Sequence, residues 1–341
     1  PTRERFTASA IFCTASRWVC VMITVWLQLQ FMKMALYLAR LASVKTVGSV
    51  DLYHSPSPDH WNGISPKVVV TVHDLIFKAY PEGHTADTIR IAEEQFKNIV
   101  EKASKIICCS QSTRSDLRRY FSVEEDQIAL IYQGVNRDDF YRIDAKEQKR
   151  ADKILRSLGI EGPYLLFVGT IEPRKNLKNL FRAYRLLKAQ RRFTGKLVLA
   201  GMKGWLTEGL FSDLEELAIE RDVRWLGFVS NQVLRYLYNK AAVFVFPSFY
   251  EGFGFPIVEA LSCGAAVVTS NVSSCPEVAG EAALTVDPNS PEQMAEAIGR
   301  ILEEDDLREE LREKGLKRAG DFSFSKTARQ TLAVYQEVCR Q

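Results

Sequence analysis

The sequence predicts an α/β protein of two doubly wound domains, each built on a parallel sheet, facing one another across a cleft. Three observations carry that expectation. At 341 residues the chain is too long for one ordinary core and suggests two domains. From residue 50 onward, short β-branched runs alternate with longer helical patterns, as parallel strands joined by right-handed crossovers do. A polar, charged stretch at 136–160 separates one such series from the next and reads as a linker plus a surface helix.

Residues 6–50 contain no acidic side chain but carry Arg17, Lys33, Arg40 and Lys45. The apolar run 18–32 is broken by Thr24, Gln28 and Gln30, and it is short of the roughly 20 apolar residues that a spanning helix needs. It reads as core material or a disturbed start, with a membrane-surface helix as the alternative. Strands are predicted at 50–54, 68–72, 106–109 and 128–132. Between them, Ile91, Phe96, Ile99, Val100 and Ala103 recur at helical spacing over 87–103. A second helix follows over 111–120, with Ser110, Ser112 and Thr113 as candidate caps. The second series has strands at 164–168, 197–200, 223–226, 243–246, 266–269 and 284–286. Its helices lie near 176–190, 212–221, 231–240, 256–263 and 291–303, and a last helix covers 324–340. Ligands of such sheets bind at the carboxyl ends of strands, so the cleft is the first place to look for chemistry.

The composition is globular, 46% hydrophobic and 26% charged, and a net charge of +3 does not mark a nucleic-acid binder. Seven cysteines form an odd set with no Cys-x-x-Cys spacing, which favours buried thiols in a reducing compartment over disulfides or zinc. Cys108 and Cys109 look like small core residues.

Three segments carry the chemistry. In Glu251-Gly252-Phe253-Gly254-Phe255-Pro256-Ile257-Val258-Glu259 a strand leads through a glycine-bearing loop into a helix opening at Pro256. Such a loop lets backbone approach a ligand, and the helix start offers N–H groups to a phosphate. The two carboxylates can hold separate hydroxyl-bearing parts of one ligand. In Gly169-Thr170-Ile171-Glu172-Pro173-Arg174-Lys175-Asn176, two cations stand at a helix opening. That is electrostatically the wrong end for them, and the misfit favours a diphosphate-binding role. The third is His73, at the end of a strand in the first domain, with Asp74 expected to orient its ring. His54, His60 and His84 carry no such signal. No Asp-x-Asp, Gly-x-Gly-x-x-Gly, P-loop or Gly-x-Ser-x-Gly occurs in the chain.

These blocks, together with Leu199-Ala200-Gly201, Trp225-Leu226-Gly227-Phe228-Val229 and Thr71-Val72-His73-Asp74-Leu75, are similar to the signature of family 4 glycosyltransferases. The narrower likeness is to bacterial mannosyl- and rhamnosyltransferases of surface polysaccharide synthesis. The likeness runs from about residue 50 to the C-terminus. It implies two Rossmann-like domains of the GT-B fold: an acceptor-side domain over 1–145, a donor-binding domain over 146–325, and a terminal helix over 326–341 packing back on the first. It also implies roles. Arg174 and Lys175 would neutralise the donor diphosphate, with Glu251 on the transferred sugar and Glu259 on the ribose. Gly169, Gly201, Gly252, Phe253, Gly254 and Phe255 would line the donor seat, Phe228 and Val229 would border the base, and His73 would lie near the reacting sugar.

Such enzymes need no metal or other cofactor and retain anomeric configuration, with a donor phosphate oxygen taking the acceptor's proton. The expected substrates are a nucleotide-diphosphate sugar, GDP-mannose foremost, and a glycan or lipid-linked acceptor. The expected location is the cytoplasm, with a peripheral contact at the inner face of the membrane. One departure stands out: no glycine precedes Gly48, so the glycine-rich loop that opens the family's first domain is not recognisable. A catalytically impaired nucleotide-binding relative, or a sugar-nucleotide epimerase on the same scaffold, are therefore the alternatives.

Overall fold

A computed structural model describes residues 50–58, 67–83, 85–204 and 208–340. His60, His84 and the run 18–32 lie outside the described residues. The chain divides into one unit of residues 1–53 and 62–66 and another of 54–61 and 67–341. Apart from Tyr53, the first residue of β1, the sheets, helices and sites below are those of the second.

Two sheets form among the described residues. The first has four strands in the order β1 (Tyr53–Ser55), β2 (Val68–Val72), β3 (Lys105–Cys108) and β4 (Ile128–Leu130). β2, β3 and β4 are parallel, with Val70 opposite Ile106 and Ile106 opposite Ile128. Around this sheet run α1 (Ile76–Ala79), α2 (Ala86–Val100) and α3 (Gln111–Tyr120). Their core joins Val70, Val72, Ile106 and Cys108 to Phe96, Ile99 and Leu117. The second sheet is built from β5 (Tyr164–Val168), β6 (Lys196–Ala200), β7 (Val223–Trp225), β8 (Val243–Phe246), β9 (Val267–Ser270) and β10 (Ala283–Val286). The order across it is β10-β9-β8-β5-β6-β7, and every neighbouring pair is parallel. The chain thus works outward from β5 to β7, returns to β8 beside β5, and works outward again. β5 and β8 flank the point where the winding reverses, where an open parallel sheet presents its crevice.

β5, β8 and β9 are buried along their length, which is why they read as continuous apolar runs rather than alternating ones. Helices α4 (Ala145–Ser157), α5 (Leu177–Ala189), α6 (Glu208–Glu216), α7 (Asn231–Lys240), α8 (Phe255–Ser262), α9 (Cys275–Ala279) and α10 (Pro291–Glu303) cover this sheet. α5 packs on α10, and its buried Leu180, Phe181, Tyr184 and Leu187 are spaced to share one face.

Several elements differ from the pattern in the sequence, which showed neither α1 nor α9. The first strand is Tyr53–Ser55 rather than 50–54, because pairing with β2, not β-branched content, sets its ends. The helix expected near 212–221 is Glu208–Glu216, closed by Ala218 in the left-handed region at φ 52°. An additional helix, α11 (Asp305–Ala319), has charges on most of its circumference and buries only Leu311, Gly315 and Ala319. A Cβ on Gly315 would stand 2.9 Å from the Leu261 side chain, so the glycine lets α11 lie close against α8. The last helix, α12 (Phe324–Arg340), meets the first sheet through Lys105–Glu337 and His54–Tyr335, both at 2.5 Å, and Thr327 donates to the Tyr132 carbonyl at 2.7 Å. His54 also bonds Thr71 at 2.8 Å, which gives it a structural task.

At the carboxyl edge of the second sheet, Gly169 and Gly201 end adjacent strands. Gly201 has φ +148°, and a Cβ there would fall 1.9 Å from the Gly169 carbonyl oxygen. Gly201→Ala is expected to destabilise the fold by about 2 kcal/mol or more, the range of backbone strain added to a steric clash. Urea unfolding of the variant checks this, and a midpoint like the wild type's would show that the close approach is dispensable.

Candidate active site

The loops leaving β5 and β8 are sewn together by backbone bonds. Phe249 N–H donates to the Arg174 carbonyl at 2.8 Å, and the Arg174 guanidinium donates to the Tyr250 carbonyl at 3.1 Å. Asn176 sits in the left-handed region at φ 59°, a conformation asparagine tolerates. From there its amide reaches the carbonyls of Pro247 at 3.0 Å and Pro288 at 2.7 Å. Ser273 accepts from Glu251 N–H at 3.0 Å, and Ser274 donates to the carbonyls of Glu251 and Phe253, both at 2.9 Å.

This stitching confines four charges. The Lys175 ammonium lies 2.5 Å from one Glu251 oxygen and the Arg174 guanidinium 2.8 Å from the other. Arg174 Nε is also 2.5 Å from Glu172 Oε1, an ion pair whose atoms are not aligned for a hydrogen bond. Glu251 is 7% exposed and Lys175 6%. Burial alone would raise the Glu251 pKa, yet Lys175 and Arg174 hold it below its ordinary value. Burial lowers the Arg174 pKa, but Glu251 and Glu172 outweigh it and raise the value. Two cations and two carboxylates thus balance in formal charge. Lys175 Nζ also lies 4.9 Å from the centre of the Phe246 ring. A cavity of about 310 Å³ beside the cluster is walled by Glu172, Pro173, Asn176, Asp213 and Phe249.

Gly252 brings the first sheet to this loop. A Cβ on it would fall 2.0 Å from the His73 carbonyl oxygen and 2.7 Å from Asp74 Cβ, so no other residue fits there without displacement. Its carbonyl accepts from the Ser110 hydroxyl at 2.6 Å, the Thr113 hydroxyl at 3.1 Å and the Cys109 thiol at 3.4 Å. Cys109 and Thr113 also donate to the His73 carbonyl, at 2.9 and 3.3 Å. Burial pushes the Cys109 thiol up to about 12, which keeps it protonated as a donor. Beside them Tyr250 donates to Asp116 at 2.9 Å and accepts from Leu75 N–H at 3.2 Å. Glu277, on α9, caps the start of α3 by accepting from Gln111 N–H at 2.6 Å and Ser112 N–H at 3.2 Å.

The exposed His73 ring is fixed from two sides. Nδ1 accepts from the Gln133 amide at 2.9 Å and Nε2 faces the Pro56 carbonyl at 3.0 Å, an arrangement that puts the proton on Nε2. Asp74 does not fill the orienting role expected of it: its carboxylate accepts from Ile76 N–H at 3.1 Å, the local turn that aspartate commonly makes two residues on.

Gly254, at φ +97°, caps α8, and Phe253 is buried with its ring 5.6 Å from that of Phe322. Phe255 is half exposed and Phe228 is 78% exposed. Phe228 and Val229 follow Gly227, whose carbonyl accepts from Gly201 N–H at 2.8 Å, which sets them beside Gly201. Glu259 accepts from the Tyr238 hydroxyl at 2.8 Å. The structure therefore joins His73 (through its carbonyl), Gly169, Arg174, Lys175, Glu251 and Gly252 in one place. Glu172, Cys109, Ser110, Thr113, Tyr250 and Glu277 support it without a sequence signal of that role; Ser110 and Thr113 read only as helix caps. Among the described residues, no group of three or more His, Cys, Asp or Glu is placed to hold a metal ion, and no helix is long and apolar enough to cross a membrane.

Burial pushes the Glu259 carboxyl up to about 7 against the Tyr238 bond, which lowers it. Between 4.5 and about 7 the folded chain then holds a proton that the unfolded chain has released, so stability falls as pH rises through that window. Glu259→Gln lacks this loss and is expected to gain on the wild type by about 1–3 kcal/mol across it, and to keep the gain above it. Urea unfolding as a function of pH measures the difference, and one that does not change with pH would refute the assignment.

Comparison with known proteins agrees with this fold. A family model described as glycosyl transferases group 1 matches residues 151–318, and one described as Glycosyltransferase Family 4 matches 17–139. The latter extends the likeness upstream of residue 50. The chain is 38% identical over 270 residues to O-antigen chain mannosyltransferase B of Escherichia coli, covering 79% of this chain and 70% of that protein. Among solved structures it is similar to sucrose-phosphate synthase from Thermosynechococcus elongatus, with a TM-score of 0.73 and 25% identity over 88% of this chain and 76% of that one. It is also similar to Anabaena HepE in complex with UDP and glucose, with a TM-score of 0.68 and 19% identity over 80% and 72% of the two chains. On its sequence likeness and its two parallel sheets, the chain belongs to the family 4 glycosyltransferases of the GT-B fold.

Proposed function

We propose that this chain transfers mannose from GDP-mannose to a glycan or lipid-linked acceptor, with retention of configuration and without a divalent metal, at the cytoplasmic face of a membrane. The observation that carries the reading is the buried Lys175 and the partly buried Arg174 on Glu251, where the strand order reverses. Two fixed cations supply the charge that a departing diphosphate needs, the kind of stabilisation that contributes most to catalysis. A donor diphosphate entering there competes with Glu251 for Lys175 and Arg174. Released from them, Glu251 is free to accept hydrogen bonds from the sugar hydroxyls. Glu259, on the helix α8 that follows the Glu251 loop, takes the ribose, and Phe228 and Val229 border the base. His73, with its proton on Nε2, serves as a donor near the reacting sugar. The mannosyl choice rests on the likeness to O-antigen chain mannosyltransferase B. The nucleotide-diphosphate choice is supported by the UDP and glucose bound to HepE.

Incubation with GDP-mannose and lipid-linked glycan acceptors, with the product anomer read by NMR, tests the reading directly. Transfer only from another donor would overturn the mannose assignment, and an inverted product the stereochemistry. Glu251→Gln should lower transfer about a hundredfold, the equivalent of ~3 kcal/mol of transition-state stabilisation, with the fold intact; turnover like the wild type's would remove Glu251 from the mechanism. Lys175→Ala is expected to weaken binding of GDP far more than that of guanosine in calorimetry. Equal losses would argue against a phosphate contact.

A further inference from the structure

A second cavity, of about 460 Å³, lies at the opposite edge of the six-stranded sheet. Ala241 and Ala242 in its lining lead directly into β8, and Ala266 leads into β9. It therefore opens at the amino ends of these strands, whereas the loops bearing Arg174 and Glu251 leave the carboxyl ends of β5 and β8. Its wall carries Arg142, Lys240, Arg308 and Arg312 and no carboxylate.

The counter-charges stand outside that wall. Glu313 is 2.9 Å from Arg142, Asp152 is 2.7 Å from Lys240, and Asp305 pairs with Arg308. Glu309 is shared at long range, 3.7 Å from Arg312 and 3.8 Å from Arg142. Part of each inner arginine serves helix ends. Arg312 Nε donates to the Gly264 carbonyl at 2.7 Å, and Arg308 Nη1 to those of Ile301 and Leu302 at 3.1 and 3.4 Å. A guanidinium has five N–H donors, so these bonds leave others available. The cations also work against one another. Burial, and after it the charges of Arg142 and Arg308, lower the pKa of Arg312 despite Glu309. An anion between them would remove that repulsion and gain charge-assisted hydrogen bonds.

We propose that this cavity is a second anion site, separate from the donor seat, that takes a phosphate-bearing ligand. Its volume is that of a small-molecule pocket, and arginine is the side chain best suited to phosphate oxygens. A free phosphorylated metabolite and the headgroup of an anionic lipid share this chemistry.

Calorimetry of the full chain with sodium pyrophosphate, alongside flotation with phosphatidylcholine vesicles with and without phosphatidic acid, tests it. Pyrophosphate should bind in a component that survives Lys175→Ala and weakens at least tenfold in Arg142→Gln/Lys240→Gln. That double variant leaves the helix-end bonds of Arg308 and Arg312 in place, so its thermal melt should match the wild type's. Recruitment to phosphatidic acid vesicles that the double variant loses assigns the site to a lipid headgroup, and pyrophosphate binding without recruitment assigns it to a free anion. The proposal is overturned if no pyrophosphate component survives Lys175→Ala, or if the double variant binds pyrophosphate as the wild type does. Failure of donor transfer would leave both readouts unaffected, which keeps this site distinguishable from the glycosyltransfer reading.

Discussion

Burying the Glu251 carboxylate would cost several kcal/mol if it went alone, so cations must go with it. Lys175 and Arg174 come from a different strand, and this requirement ties the loop after β5 to the loop after β8. Because those strands neighbour one another only where the winding reverses, the ion cluster and the crevice of the sheet necessarily coincide. The bonds of Asn176, Ser273 and Ser274 are the backbone counterpart, holding both loops at the spacing the charges need.

The same loop also sets how the first sheet meets the second. Gly252 passes so close to His73 that only a hydrogen side chain fits, and its carbonyl is then out of reach of water. A buried carbonyl must be satisfied, and Ser110, Thr113 and Cys109 do it from the start of α3. Two of these donors also hold the His73 carbonyl, so the histidine's place follows from the glycine's.

Cations occupy both edges of the six-stranded sheet for opposite electrostatic reasons. At the amino edge, Arg308 and Arg312 meet carbonyls at helix ends, where positive charge is favoured. At the carboxyl edge, Arg174 and Lys175 precede a helix start, where it is not, and the two buried glutamates offset the mismatch. A local electrostatic rule broken in this way is expected at a functional site.

How much of this was legible in the sequence depended on the range of the interaction. Strands β5, β8 and β9 were readable because burial on both faces demands unbroken apolar runs, and the loops after β5 and β8 because glycine and proline act on their own backbone. α11 was not, since its buried stripe is only Leu, Gly and Ala and its partner α8 lies far off in sequence. By itself the sequence determined the two parallel-sheet series, the family, and Arg174, Lys175, Glu251 and His73 as the residues to examine. Only the tertiary structure decided that Lys175 and Arg174 pair with Glu251, that Gln133 rather than Asp74 holds the His73 ring, and that four cations converge at the far edge. Each of those depends on residues brought together across long stretches of chain, and periodicity and local propensity report only on near neighbours.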